Sequence, residues 1–319
     1  MIWKNEGLLS GGESAGALVY PRELHVLGRD ALVAIDPNAA QLAPDRRFES
    51  LHELTSRVER GSVLPVRALV FHSSRCGSTL LARLFAAEGS TRVFAEPPVL
   101  GRFLWRFAEQ LGRGEMQREL AAFVRAFGLA PTPNELGVVI KLPSWALLFL
   151  EPLRACFPNT PFAYLLRDPI QVVASIRDYQ PIFLGRSNRP RLAAAFGGDP
   201  ATASRMDVVE WYAWYIDRNL RLALKHERVF TAVIDHARLA EQSVRWVNAV
   251  TSAHLEPSRA DIAQLLGRHA KSPDKAYRSP AAADVANFET IVTNAAGEAY
   301  RLWQQRLTGS TGVEPRRDH

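Results

Sequence analysis

"ALVFHSSRCGSTLLARLF", residues 68–85, passes from an apolar run through a small polar knot into a second apolar pattern with helical spacing. The first part continues a run that begins at Val66 and reads as a buried strand. Leu80, Leu81, Leu84 and Phe85 recur three and four residues apart, which puts them on one helix face. Between the two lie Ser73, Ser74, Arg75, Cys76, Gly77, Ser78 and Thr79. A strand, a loop of small residues and a helix together hold an oxyanion well, because successive backbone N–H groups and the helix N-terminus converge on one point. Gly77 permits close backbone approach, and Ser78 and Thr79 add hydroxyl donors. A plain turn with an N-cap is the alternative reading, since Ser and Thr are common there.

Working outward, apolar strands alternate with helical patterns: strand 66–72, helix 79–88, strand 91–95, helices across 100–127, and strand 137–141. The series continues with helix 144–156, strand 162–167, helix 169–179, a long helix 207–226, strand 229–234, and helices to about 306. Continuously apolar strands separated by helices predict an α/β fold, a doubly wound parallel sheet flanked by helices on both faces. Upstream, "ALVY", "LHVLG" and "ALVAI" are split by Pro21 and by 28–30, which suits short β-hairpins in a small N-terminal β extension. The expected organisation is an extension over 1–62, an α/β domain over 63–308 and a flexible tail over 309–319. Residues 185–206, rich in Gly, Pro, Ser and Arg between two helices, read as a mobile flap.

Composition narrows the function class. The chain has 319 residues, 47% of them hydrophobic, ample for a buried core. Its net charge of +6 is scattered rather than blocked, so the reading is a mixed solvated surface and no nucleic-acid partner. Cys76 and Cys156 are the only cysteines. They can form no disulfide framework and match no zinc-ligand spacing, which implies a reducing compartment and no structural metal. The N-terminus lacks a leader pattern and no run of about 18 apolar residues occurs. The expectation is a cytoplasmic protein with no membrane partner, and oligomeric state stays open.

The nucleoside-triphosphate loop G-x-x-x-x-G-K-[ST] fails here at two positions. With Gly77 aligned to the second glycine, Ser73 replaces the first and Ser78 stands where lysine belongs. The loop's cation is instead Arg75, two residues before the glycine, so its charge is aimed at a different atom. A second signal is "FAYLLRDPIQVVASI", residues 162–176. Arg167 ends the strand, Asp168 is placed to N-cap, Pro169 suits the first helical position, and Val172, Val173 and Ile176 form the apolar face. Ser175, seven residues after Asp168, returns to the same side of that helix. Arg167 and Asp168 as a salt-bridged strand end, or Asp168 on a Mg²⁺-binding strand, are the alternatives, and Pro169 favours capping.

These residues resemble the sulfotransferase family that uses 3'-phosphoadenosine 5'-phosphosulfate (PAPS). "SSRCGSTLL" is similar to the family's 5'-phosphosulfate loop, and Arg167 with Ser175 reproduces its 3'-phosphate motif, an arginine followed eight residues later by a serine. The resemblance spans about 66–280 and implies a P-loop NTPase-like sulfotransferase domain. PAPS would be co-substrate, adenosine 3',5'-bisphosphate (PAP) the product and a small molecule the acceptor, without a metal. Ser74, Arg75, Cys76, Gly77, Ser78 and Thr79 would hold the 5'-phosphosulfate, with Arg75 stabilising the leaving phosphate. Arg167 and Ser175 would hold the 3'-phosphate, with Lys271 or Arg278 of "KSPDKAYRSP" as a later basic contact.

Lys141 in "GVVIKLPSW" resembles the lysine of the family's "KTHLP"-like segment, but Pro143 replaces the histidine that serves as base in cytosolic members. Glu96 in "RVFAEPPVL" resembles the glutamate base of tyrosylprotein and some bacterial sulfotransferases, and burial beside Pro97 and Pro98 is expected to raise its pKa. His72 is the reserve base. Trp211, Tyr212, Trp214 and Tyr215 resemble the family's long aromatic helix, with core packing or contact to adenine or acceptor as their two roles. Two other functions remain at this level: a P-loop kinase or NTP hydrolase, which the missing loop lysine opposes, and a non-catalytic nucleotide-binding protein of the same fold.

Overall fold

The computed structural model describes residues 51–107, 113–129, 131–178, 184–252, 255 and 285–309, with short strand segments at 32–33, 48–49, 268–269 and 272–276. The "ALVAI" run contributes β1 (Leu32–Val33), which pairs antiparallel with β2 (Phe48–Glu49). "ALVY" and "LHVLG", the tail after 309, Lys271 and Arg278 lie outside the described residues. Helix α1 (Leu51–Arg60) follows, and its Leu54 and Val58 are buried in the main core.

Five strands build the central sheet: β3 (Val66–His72), β4 (Thr91–Ala95), β5 (Gly137–Lys141), β6 (Phe162–Leu166) and β7 (Ala232–Asp235). Their spatial order is β4-β5-β3-β6-β7 and every pairing is parallel. A parallel sheet must be covered on both faces, and the pleat divides the strand residues accordingly. Ala68 and Val70 of β3 face a layer of α2 (Ser78–Ala87) and a later helix carrying Leu239, Trp246 and Val247. Leu69 and Phe71 face the larger layer on the other side. That layer contains α3 (Pro98–Phe107), α4 (Arg113–Arg125), α5 (Leu150–Cys156) and α6 (Pro169–Asp178). β3 is the central strand; the chain leaves it to build β4 and β5 on one side, then β6 and β7 on the other. The crevice at its carboxyl end is therefore a topological switch point, where open α/β sheets bind ligands.

The strand ends fall where the sequence puts them for β3, β4 and β5, while β7 begins at Ala232 rather than 229, because Glu227–Val229 makes a 3₁₀ turn first. The expected helix 144–156 is in two pieces, a 3₁₀ stretch Ser144–Phe149 and then α5. Pro152 accounts for the break: it is tolerated only in a first turn, so the α-helix restarts just before it.

Residues 185–206 are not an open flap. They fold into α7 (Arg189–Ala195) and α8 (Pro200–Arg205), burying Leu192, Ala193 and Ala203. Asp199 caps α8 by accepting from the N–H groups of Ala201 and Thr202. A Cβ on Gly198 would lie 2.3 Å from Trp214 Cζ2, so the segment packs tightly on the long helix α9 (Val208–Lys225). The polar letters that suggested a loop are caps and turn residues.

Helix α9 opens with a capping box in which Asp207 Oδ1 accepts from Glu210 N at 2.8 Å and Glu210 Oε2 accepts from Asp207 N at 2.9 Å. Trp211, Tyr212 and Tyr215 are core residues, each 1% exposed or less. Trp211 Nε1 donates to Leu184 O at 3.0 Å, and Tyr215 Oη shares a hydrogen with Ser144 Oγ at 2.8 Å. Beyond β7 lie α10 (Leu239–Thr251), the antiparallel pair β8 (Arg268–His269) and β9 (Ser272–Ala276), and helices ending at Gly309. Phe85 of α2 meets Trp246 of α10 edge to face at 5.3 Å. Such an aromatic pair is worth about 0.5–1.5 kcal/mol beyond its burial, and it anchors the helix whose first turn borders the polar loop.

Candidate functional site

The loop after β3 holds an uncommon backbone. Ser74 (φ 82), Arg75 (φ 48) and Gly77 (φ 87) lie in the left-handed region. Of the four non-glycine residues with positive φ among the described residues, Ser74, Arg75 and Glu96 border this site. Such conformations cost about 1–3 kcal/mol each and persist only where surrounding structure enforces them. Gly77 is the N-cap residue of α2, and the N–H groups of a first helical turn have no intrahelical acceptor. Ser78 is buried and Thr79 half-buried at that turn. Cys76 is fully buried, and burial pushes its thiol pKa up, so it is a packing residue and not a nucleophile.

The two arginine motifs meet. Arg75 Nε donates to Ser175 Oγ at 2.9 Å across 100 residues of sequence. Arg167, 3% exposed just past β6, donates from Nη1 to the carbonyl oxygen of Arg75 at 3.1 Å and from Nε to Gln171 Oε1 at 3.0 Å. Asp168 is the N-cap its position predicts: Oδ1 accepts from Ile170 N at 2.7 Å, which aims α6 and places Ser175 on the loop side. Two guanidinium groups and the Ser175 hydroxyl thus meet at the loop that leads into the first turn of α2, a donor set suited to anionic oxygens.

A second cluster forms at the ends of β3, β4 and β5. The register pairs Ala95 with Lys141 and Lys141 with Val70, so Lys141 stands between the strand carrying Glu96 and the strand carrying His72. Glu96 N donates to Lys141 O at 2.6 Å, fixing the turn that aims the carboxylate back over the sheet. Lys141, 3% exposed, forms a short ion pair with Glu96 Oε1, and His72 Nε2 lies 3.5 Å from the same oxygen. Glu96 itself is 37% exposed and so open to a reactant. Beside its carboxylate thus stand Lys141 and, at longer range, His72.

His72 is buried, and its pKa is lowered, first by that burial and then by Lys141, against an opposing pull from Glu96. The ring is therefore neutral near pH 7. Its Nδ1 accepts a hydrogen bond from Ser74 N at 3.1 Å, so the ring proton sits on Nε2. That arrangement leaves no lone pair for proton abstraction, which removes His72 from the role of reserve base.

Three contributors were not legible in the sequence. Gln171 holds Arg167, and Leu239 of α10 packs against Gly77. His236, directly after β7, feels the Arg167 charge, and its pKa is lowered to about 4 by burial first and Arg167 second. Only its place at a strand's carboxyl end pointed to it. Among the described residues no group of three or more His, Cys, Asp or Glu could hold a metal ion, and no helix is long and apolar enough to cross a membrane.

No protein-family model matches the chain, and no curated protein sequence matches it. Among solved structures it is similar to a sulfotransferase domain from the curacin biosynthetic pathway, at 20% identity and TM-score 0.39 over 76% of this chain and 98% of that one. It is also similar to a sulfotransferase from Alicyclobacillus acidocaldarius, at 17% identity and TM-score 0.34 over 75% of this chain and 100% of that one. A third is sulfotransferase STF9 from Mycobacterium avium, at 13% identity and TM-score 0.42 over 83% of this chain and 84% of that one. Likeness at this level assigns neither a donor nor an acceptor.

Proposed function

We propose that the protein is a sulfotransferase that moves a sulfonate from PAPS to a hydroxyl, or an amine, of a small-molecule acceptor. The observation that carries this reading is the meeting of Arg75, Arg167 and Ser175, with the Glu96–Lys141 pair at the carboxyl ends of neighbouring strands of the same sheet. The residues fit such a donor: the Arg75 loop and the first turn of α2 would hold the 5'-phosphosulfate, and Arg167 with Ser175 the 3'-phosphate.

Sulfuryl transfer, like phosphoryl transfer, has a loose transition state with the attacking and leaving oxygens in line, so positioning and electrostatics dominate. Glu96 takes the proton of the acceptor hydroxyl as its oxygen bonds to sulfur. The bond between sulfur and the bridging phosphate oxygen breaks, and that oxygen keeps the electron pair as PAP leaves. Arg75 stabilises the charge gathering there. Lys141, paired with Glu96 in the structure, also lies at a strand end where its ammonium can meet a sulfonate oxygen.

The test begins with ligand binding. PAP without Mg²⁺ is expected to raise the melting temperature, as any ligand selective for the folded state must. Stabilisation by ATP with Mg²⁺ and not by PAP refutes the reading. Mass-spectrometric screening with labelled PAPS then identifies the acceptor, and Glu96→Gln lowers turnover by about 10²–10⁴-fold, the usual contribution of a general base. Unchanged turnover in Glu96→Gln rejects Glu96 as the base.

A further inference from the structure

His72 is a buried side chain whose two ring nitrogens reach different parts of the site. On one side Nδ1 accepts from the backbone of Ser74, a residue held at φ 82 in the anion-binding loop. On the other, Nε2 faces Glu96 Oε1 at 3.5 Å, across the strand that carries Lys141. The ring is 4% exposed, so packing leaves it little freedom to turn.

We infer that His72 is a positioning residue that couples the conformation of the donor loop to the orientation of the Glu96 carboxylate. The inference rests on the reading of Glu96 as general base. The Ser74 N–H, by bonding Nδ1, fixes the neutral tautomer with hydrogen on Nε2. Nε2 is buried and has no hydrogen-bond partner in the structure, and its hydrogen lies on the side of Glu96 Oε1, 3.5 Å away, so a small turn of the carboxylate closes that bond and, with the Lys141 ammonium, restricts where the carboxylate points. Ser74 and Arg75 both sit in backbone conformations unfavourable to L-residues, so anything that settles the loop also settles the imidazole, and through it the base. Readiness to take a proton is thereby tied to an occupied donor loop.

The two amide side chains separate the functions. In His72→Asn the amide oxygen can accept from Ser74 N, but the side chain stops short of Glu96. In His72→Gln an N–H at the end of the longer chain can reach Glu96 while the contact to Ser74 is lost. Calorimetry with PAP and consumption of PAPS with water as acceptor, giving PAP and sulfate, are read on both variants.

His72→Asn is expected to keep PAP affinity within about threefold and to lose at least about tenfold in turnover; His72→Gln is expected to show the reverse split. In a Glu96→Gln background, His72→Asn is expected to lower turnover no further, because the base it orients is already gone. Imidazole ¹⁵N shifts of the unmodified protein need no variant, and are expected to show hydrogen on Nε2 between about pH 6 and 8. Hydrogen on Nδ1, or affinity and turnover moving together in both variants, overturns the inference. A wild-type protein that neither binds PAP nor consumes PAPS sinks the sulfotransferase reading instead, and the ¹⁵N shifts then judge the ring by themselves.

Discussion

Gly77→Ala probes the loop at its tightest point. The residue has φ +87, and a Cβ there would lie 2.2 Å from Leu239 Cδ2, 3.2 Å from Cδ1 and 3.3 Å from Cγ. Leu239 is itself 3% exposed at the start of α10, so it has nowhere open to move. Placing alanine at positive φ costs about 1 kcal/mol. Crowding a packed core adds about 1–3 kcal/mol, so the expected loss of stability is about 2–4 kcal/mol. Urea unfolding of wild type, Gly77→Ala, Leu239→Ala and the double variant separates the two contributions. Leu239→Ala alone destabilises by about 2–5 kcal/mol through its cavity. In the double variant the new methyl occupies that cavity, giving a favourable coupling of about 1–3 kcal/mol. PAP affinity falls at least about tenfold in Gly77→Ala, and Leu239→Ala does not restore it, because relieving the clash leaves the backbone strain in place. A Gly77→Ala protein within about 0.5 kcal/mol of wild type, or strictly additive effects in the double variant, refutes the reasoning.

Arg167→Met is expected to weaken PAP binding by about 2 kcal/mol, roughly thirtyfold, by removing charge-assisted hydrogen bonds. Adenosine 5'-phosphate should lose much less in the same calorimetric titration, and equal losses would reduce Arg167 to a support for the Arg75 carbonyl. His236 has a folded pKa of about 4 against 6.5 unfolded, so the unfolded state binds the extra proton between those values. Stability therefore rises with pH across that window and falls on acidification, by about 1–2 kcal/mol after allowing for the partial exposure of the ring. His236→Asn should flatten that part of the urea-midpoint profile, and an unaltered slope contradicts the assignment. Asp207→Ala removes the capping box of α9 and should cost about 1 kcal/mol in urea unfolding, with PAP affinity unchanged because the Asp207 carboxylate bonds the first turn of α9 and not a residue proposed to hold the donor.

Much of the fold was legible because its signals are local. The five strands are apolar runs buried on both faces, and that pattern is indifferent to which strand lies beside which. Asp168 and Pro169 announced the start of α6 for a reason contained in four residues, the need of a first turn for an oxygen acceptor and a fixed φ. Residues 185–206 misled because Gly, Pro, Ser and Asp have the same local preferences in a loop as in the caps of two short helices. What distinguishes the cases is the packing of Leu192, Ala193 and Ala203 and the closeness of Gly198 to Trp214, contacts with α9 that local preference does not encode.

The candidate site divides along the same line. Gly77, Ser78, Thr79, Arg167 and Ser175 could be singled out by spacing, since helical and loop geometry turn intervals in sequence into shared faces. That Arg75 Nε meets Ser175 Oγ, and that Glu96 pairs with Lys141, required the strand order and register. His72 shows the limit most clearly: its identity and place at a strand end were plain, and a base was a fair reading of a histidine there. Its tautomer depends on one backbone N–H two residues on, and its effect depends on a carboxylate delivered by a strand two places away in the sheet. Sequence by itself determined the elements, the polar loop between β3 and α2 and the residue types available for chemistry, because those follow from short-range periodicity and backbone preference. Tertiary structure alone decided which charges face one another, because Coulombic and hydrogen-bond energies depend on distances set by the packing of segments remote in the chain.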